Sequence, residues 1–370
     1  MRAIITATLL LYFCSTSAQS KKVDQVIRDK SFKKAILTAE RFIDSLKISQ
    51  HIPGISICVG NREKILWAEG FGFADLENKA PVTIQSMFRL GSVSKVLTSM
   101  AVGRLYQQRK LDLDAPIQKY LPDFPEKQYS FTARQLAGHT AGIRHYGNND
   151  PIATPRRYKS VAESLSIFSK DSLVFKPGTA YAYSSYGYNL LSAVLEAAAG
   201  KDFLSYMRDS IFIPLGMANT FPDYSDSILP GRVRFYESNK NGLVNAALVD
   251  NSYKWAGGGF LSTPVDLVNM IRGLLNHRLL DEKTVKLLFA PQQLENGTST
   301  NVGIAWRINE TRRGVKYIHH GGLIDGGRAF VFFYPESGYI FAITANISGA
   351  RLNIDEAATI LDFFLTNNMK

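Results

Sequence analysis

The chain reads as an α/β protein of the α+β kind: a mostly antiparallel sheet built from its N- and C-terminal segments, flanked by helices, with a central, mostly helical lobe. Three observations predict this. Strand-like runs lie near the two ends, at 55–59 and 65–68 and again at 303–308, 315–319, 329–334 and 339–346. Segments with helical spacing fill the middle. The 370 residues, 45% apolar and 20% charged, suffice for one large domain. The expected organisation is a single domain over 19–370, with a helical lobe at about 105–290 inserted between the sheet-forming ends.

The first 18 residues read differently. Met1-Arg2, a run from Ala3 to Phe13 apolar but for two threonines, and small residues ending in Ala18 have the layout of a secretory signal peptide, 1–18, cut after Ala18. A secreted or periplasmic location follows. Cys14 allows a lipoprotein alternative, which the bulky Phe13 before it disfavours. With Cys14 removed, Cys58 is the single cysteine, no intrachain disulfide can form, and Cys58 belongs in the core of the run Ile55–Val59.

Apolar residues at Ile36, Ala39, Phe42, Ile43 and Leu46 predict an amphipathic helix within 24–48, broken by Pro53-Gly54. A hairpin follows, turning at Gly60-Asn61-Arg62, and Gly70–Asp75 continues as an extended segment. A helix is expected from Ser92 to about Lys110, a short one between Pro116 and Leu121, and another after the N-cap Thr132, ending at Gly138. Residues 161–168, 188–199 and 203–211 are helical in pattern, the last two split by Gly200-Lys201-Asp202. The runs at 233–236 and 243–245 look extended. Thr263-Pro264-Val265-Asp266 opens a helix with a cap, a proline at the first position and an acid at the third. Helices at 279–289 and 354–366 complete the set, and Pro335–Gly338 turns between the last two strands.

The net charge of +11 is scattered. The densest clusters, Arg156-Arg157-Tyr158-Lys159 and Arg312–Lys316, lack the aromatic interleaving and motifs of nucleic-acid binding, so no nucleic-acid partner is expected. A solvated basic surface remains, suited to contact with an anionic cell envelope or membrane surface.

The chemistry centres on Gly91-Ser92-Val93-Ser94-Lys95. On a helix opening at Ser92, Lys95 lies one turn on and on the same face. A serine hydroxyl becomes a nucleophile when a neighbour takes its proton, and a lysine can do so once burial or nearby cations leave it neutral. The tyrosine-rich segment Tyr181–Tyr188 follows the loop Lys176-Pro177-Gly178, where a tyrosine can shuttle protons or simply pack a lobe interface. His319-His320-Gly321-Gly322 ends a strand whose edge can offer amides to an oxyanion or a substrate peptide. Adjacent histidines on a strand point to opposite faces, and no metal-binding pattern accompanies them, so neither metal nor cofactor is expected. Gly-x-Ser-x-Gly is absent, against an α/β-hydrolase elbow.

Ser92-x-x-Lys95, Tyr183-Ser184-Ser185 and His319-His320-Gly321, with Leu136–Gly142, Pro177-Gly178, Pro214–Met217 and Ala256–Thr263, resemble in order and spacing the serine β-lactamase-like hydrolases: class C β-lactamases, D-Ala-D-Ala carboxypeptidases and related esterases. The resemblance spans Phe32 to Phe364. Trp67–Gly72 and Asp250–Ala256 are most similar to the branch holding the mitochondrial β-lactamase-like protein of animals. It implies a β-lactamase/transpeptidase-like fold, a small-molecule or peptide substrate, acylation of Ser92 with help from Lys95 and Tyr183, and no cofactor. Whether Lys95 or Tyr183 is the base stays open. The resemblance places the oxyanion hole at the amides of Ser92 and Gly322, and substrate contacts at Ser185, His319, His320 and Gly321. His319 takes the family's lysine or histidine position and keeps the tyrosine region electropositive. Two departures stand out: Ser185 where asparagine is usual, and His320 in place of a small Thr or Ser. Both disfavour an efficient β-lactamase and admit a second function, a binding protein of the same fold that has lost turnover.

Overall fold

The computed structural model describes residues 26–152 and 154–367; the predicted signal peptide and Cys14 lie outside the described residues. The sheet is made by the two ends of the chain. Its N-terminal strands are β1 (Ile27–Arg28), β2 (Gly54–Gly60), β3 (Ile65–Asp75) and β4 (Ala80–Pro81). Outside this sheet lie β5 (Phe88–Arg89), β6 (Phe221–Pro222) and the hairpin β7 (Tyr236–Asn239) and β8 (Gly242–Asn245). β9 (Phe260–Ser262) precedes the C-terminal strands β10 (Arg307–Glu310), β11 (Lys316–Ile324), β12 (Gly327–Phe333) and β13 (Ile340–Ala345). The strands order as β1-β3-β2-β13-β12-β11-β10, with β4 on β3, and the pairings are antiparallel. First and last segments therefore meet at β2–β13, as the sequence predicts.

Alternation along the strands divides the core. Ile55, Ile57 and Val59 of β2 face α1 (Lys33–Ser49) and the C-terminal helix, which bring Ile36, Ile43, Ile360 and Phe364 to that side. Cys58, Val331, Phe333 and Ala342 face the helical side. Cys58 is fully buried and free, and burial pushes its thiol well above the usual range. The lobe holds α2 (Ser94–Gln107), α3 (Ala133–Ala137), α4 (Val161–Leu165), α5 (Ser185–Ala199), α6 (Phe203–Met207), α7 (Ile213–Leu215), α8 (Trp255–Gly258), α9 (Pro264–Leu275) and α10 (Glu282–Leu288); α11 (Ile354–Asn367) closes the chain. α2 is buried on nearly every face, packed among α5, α8 and α10.

The caps behave as read. Thr132 and Gln135 form a reciprocal capping box, and the Thr263 hydroxyl accepts from the Asp266 amide at 3.1 Å. Several boundaries move. α1 begins at Lys33 rather than near Asp24, because Ile27–Arg28 is drawn onto the edge of β3 as a strand. The stretch 303–306 is not strand: β10 begins at Arg307. The lobe also carries a three-stranded sheet, β5-β9-β6, whose short strands have too few residues to show a period.

Candidate active site

Ser92 lies in a 3-10 turn, Gly91–Val93, that feeds α2, so it precedes the α-helix rather than opening it. Gly91 has φ +49, and a Cβ there would sit 2.8 Å from the Leu323 carbonyl oxygen, so glycine is required on both counts. Just upstream, Arg89 donates to buried Asp223 at 2.7 Å and to the Asp325 carbonyl at 2.9 Å. Asn251 also donates to Asp223, at 2.7 Å. This cluster ties together three segments that border the cleft.

The structure brings the three separated motifs together. Lys95 Nζ lies 3.2 Å from Ser92 Oγ, and Tyr183 donates its hydroxyl proton to Ser92 Oγ at 2.6 Å. Lys95 is fully buried and donates to the Gly257 carbonyl at 2.7 Å and to Ser185 Oγ at 3.1 Å. Burial, reinforced by the Arg307 cation, holds its pKa well below the ordinary lysine value. Burial moves Tyr183 the opposite way, raising its pKa against the pull of its Ser92 bond and of Arg307. The amine is thus biased neutral and the phenol protonated. Ser185 opens α5 and its hydroxyl accepts from the lysine.

The strand that faces Ser92 requires a correction. The β11–β12 hairpin turns at Asp325-Gly326, so Ile324 and Gly327 exchange both hydrogen bonds. Alternation then sends the Gly322 and His320 amides to β12. On the other edge Thr311 donates to the Val315 carbonyl at 2.9 Å, which fixes Tyr317 and His319 as the residues addressing β10. β10 starts at Arg307, opposite His319, leaving the amides of Gly321 and Leu323 toward the open cleft. The Gly322 amide is therefore committed to Ala329 and is not the oxyanion donor. Leu323 supplies the free amide beside Gly91. Gly322 serves by having no side chain: a Cβ there would lie 1.9 Å from the Leu90 carbonyl oxygen and 3.0 Å from the Ser92 nitrogen.

The histidine pair is also reassigned. His319 lines the cleft, but it bonds Asn309 Oδ1 through Nε2 at 3.0 Å, and burial pushes its pKa down to about 4. It is neutral at physiological pH and supplies no positive charge. His320 does not contact substrate space: it is buried on the Gly322 face, with Nδ1 2.8 Å from the Gly321 carbonyl oxygen. Burial also drives its pKa well below the ordinary value. Arg307 supplies the cation instead, its guanidinium carbon 5.9 Å from the centre of the Tyr183 ring. Sequence reasoning missed it, although a register partner of His319 could have been sought.

The cleft is a cavity of about 590 Å³ bordered by Ser92, Tyr183, Ser185, Gly321 and Leu323. Its charged lining residues are Lys254, Arg307 and Arg328, with no acid among them. Lys254 is 7% exposed, its ammonium has no hydrogen bond or ion pair among the described residues, and burial lowers its pKa to about 8. Arg328 donates to the Gly322 and Leu352 carbonyls at 3.1 and 2.6 Å. Among the described residues no cluster of side chains is suited to hold a metal ion, and no helix is long and apolar enough to cross a membrane.

Comparison with known proteins shows the family. The sequence matches the Beta-lactamase family over residues 39–363. It is 30% identical to the serine beta-lactamase-like protein LACTB, mitochondrial, of Homo sapiens, covering 90% of this chain and 80% of that protein. The Mus musculus counterpart is 29% identical, with 90% and 81% covered. Among solved structures, the octameric penicillin-binding protein homologue from Pyrococcus abyssi superposes with a TM-score of 0.77 at 22% identity, covering 90% of this chain and 77% of that one.

Proposed function

The chain belongs to the beta-lactamase family, and from that premise we propose that it is a serine hydrolase cleaving an amide or ester bond through a covalent acyl-enzyme on Ser92. One observation carries the reading: Ser92 Oγ is held between a buried amine at 3.2 Å and a phenol at 2.6 Å.

The hydrogen-bond inventory supports one division of roles. A neutral Lys95 has two N–H groups and one lone pair. The N–H groups meet the Gly257 carbonyl and Ser185 Oγ, leaving the lone pair for the Ser92 proton. Tyr183 already donates to Ser92 Oγ, so its proton cannot be the one removed. Lys95 is the base. As Ser92 Oγ attacks the carbonyl, its proton passes to Lys95, and negative charge on the carbonyl oxygen is met by the Ser92 and Leu323 amides. Each such donor contributes about 2.7–4 kcal/mol in the transition state. Tyr183 protonates the leaving amine or alkoxide and is reprotonated from Lys95. Water then attacks the acyl carbonyl by the same path in reverse.

A peptide-like substrate fits the open edge at Gly321 and Leu323, which can pair with an extended backbone. The acid-free wall of Lys254, Arg307 and Arg328 favours an anionic group on it. Esterase or β-lactamase activity uses the same nucleophile. The signal-like residues 1–18 support a secreted or periplasmic location, and the net charge of +11 supports contact with an anionic envelope or membrane surface. The alternative of a binding protein without turnover drew on Ser185 and His320. Ser185 still secures Lys95 and His320 lies outside the cleft, so neither residue favours it. The test is hydrolysis of p-nitrophenyl esters, D-Ala-D-Ala peptides and nitrocefin, with labelling by an active-site serine probe. Ser92→Ala should abolish both turnover and labelling; unchanged labelling overturns the assignment.

A further inference from the structure

We propose that His145 is a substrate-binding residue that donates its Nε2 proton to a carbonyl oxygen on the acyl portion of the substrate, on the wall opposite the Gly321–Leu323 edge. The inference rests on the hydrolase reading and adds a specificity contact to it. His145 lies on the loop after α3, with its side chain exposed to the cavity it lines. An exposed side chain on a loop is ordinarily free to rotate; this one is fixed. Its Nδ1 accepts the Ser185 amide proton at 3.1 Å, the first residue of α5. The ring stacks on Tyr146 at 4.4 Å and meets Tyr183 edge-on at 5.5 Å.

The backbone beneath it is held as firmly. Arg144 donates to the His145 carbonyl at 3.0 Å and pairs with Asp150 at 2.6 Å and Asp171 at 2.5 Å. The Ser184 hydroxyl donates to the Arg144 carbonyl at 2.7 Å. Because Nδ1 is an acceptor, the neutral ring carries its proton on Nε2. That N–H has no partner among the described residues. Partial desolvation between the Tyr146 and Tyr183 rings lowers the ring's pKa, which favours the neutral form. Ser92, Lys95 and Tyr183 are held in mutual hydrogen bonds, and Ser185 Oγ accepts from Lys95. His145 presents a free, oriented donor beside them.

Two esters with one leaving group separate this role from a structural one. p-Nitrophenyl acetate has no second carbonyl, whereas the p-nitrophenyl ester of N-acetylglycine offers one. His145→Phe should lower the ratio of kcat/KM for the glycine ester over the acetate about tenfold, mostly through KM, the scale of one hydrogen bond. His145→Gln places an amide N–H near the Nε2 position, while His145→Asn keeps an acceptor near the Ser185 amide. The proposal expects Gln to restore the ratio and Asn not to. Rescue by Asn alone, or an unchanged ratio in His145→Phe, overturns it and leaves a helix cap. Failure of the hydrolase reading looks different: the wild-type protein hydrolyses neither ester, and both claims fall together.

Discussion

Two buried lysines border one cavity and are put to opposite uses. Lys95, on α2, is fully enclosed and every position around its nitrogen is taken: the Gly257 carbonyl, Ser185 Oγ and Ser92 Oγ. Lys254, just before α8, is nearly as buried, yet its ammonium has no hydrogen bond or ion pair among the described residues and lies 4.9 Å from the centre of the Tyr253 ring. Desolvation lowers both. The surrounding charges differ: Arg307 opposes a proton on Lys95, whereas Asp325 and Asp223 favour one on Lys254. Lys95 is biased toward the neutral form, a base with a lone pair to use. Lys254, at about 8, stays largely charged at neutral pH and can hold an anion. Burial alone does not make a catalytic lysine; the partners that satisfy the neutral amine do.

The contrast breaks most sharply at Lys95. Lys95→Met should lower kcat/KM about 10²–10⁴-fold, the scale of a lost general base. The folded state should not suffer. Burial lowers the lysine's pKa on folding, so the native state holds this proton less tightly than the unfolded chain does, a cost that Met removes. Circular dichroism melts would check that Tm does not fall. Gly322→Ala comes next. Its methyl meets the Leu90 carbonyl, so strand and turn must separate, costing about 1–3 kcal/mol of stability and the alignment of the Leu323 amide. Denaturant unfolding and kcat measured together test this; a fully stable, active variant would refute the close approach.

Arg307→Met sharpens the account through pH. Turnover needs neutral Lys95 and protonated Tyr183, so the rate rises with pH through the lysine and falls through the tyrosine. Arg307 lowers both, so its removal should move both limbs of the kcat/KM profile to higher pH. A shift of the two limbs in opposite directions would contradict this. The smallest effect belongs to Lys254→Met, which should lower by about tenfold the preference for a carboxylate-bearing ester over its neutral analogue. It should also remove the loss of that preference above about pH 8.

These contrasts mark what a linear sequence carries. Ser92 and Lys95 are one helical turn apart, so their meeting is local and readable. Tyr183 was reachable through its setting between a Pro-Gly loop and a helix. The sheet followed from alternating runs at the two ends. The donor strand was misread by one residue, and one residue on a strand exchanges both side-chain face and amide direction. That single step separates Gly322 from Leu323 and sends His320 beneath the site. Arg307 and His145 carry no local pattern, and the stretches Asp250–Ala256 and Ala256–Thr263 give no role to Lys254 or Gly257. Their placement comes from strand register and lobe packing across long stretches of chain.

The central claim is that Lys95 is an uncharged amine in the resting protein. NMR of the side-chain ammonium and ε-methylene groups of isotopically labelled lysine, assigned with Lys95→Met, reads that state directly as pH is varied. The account predicts a Lys95 resonance with the shift of a neutral amine at neutral pH, titrating well below the ordinary lysines. A resonance that stays with the protonated lysines up to their usual range would contradict it.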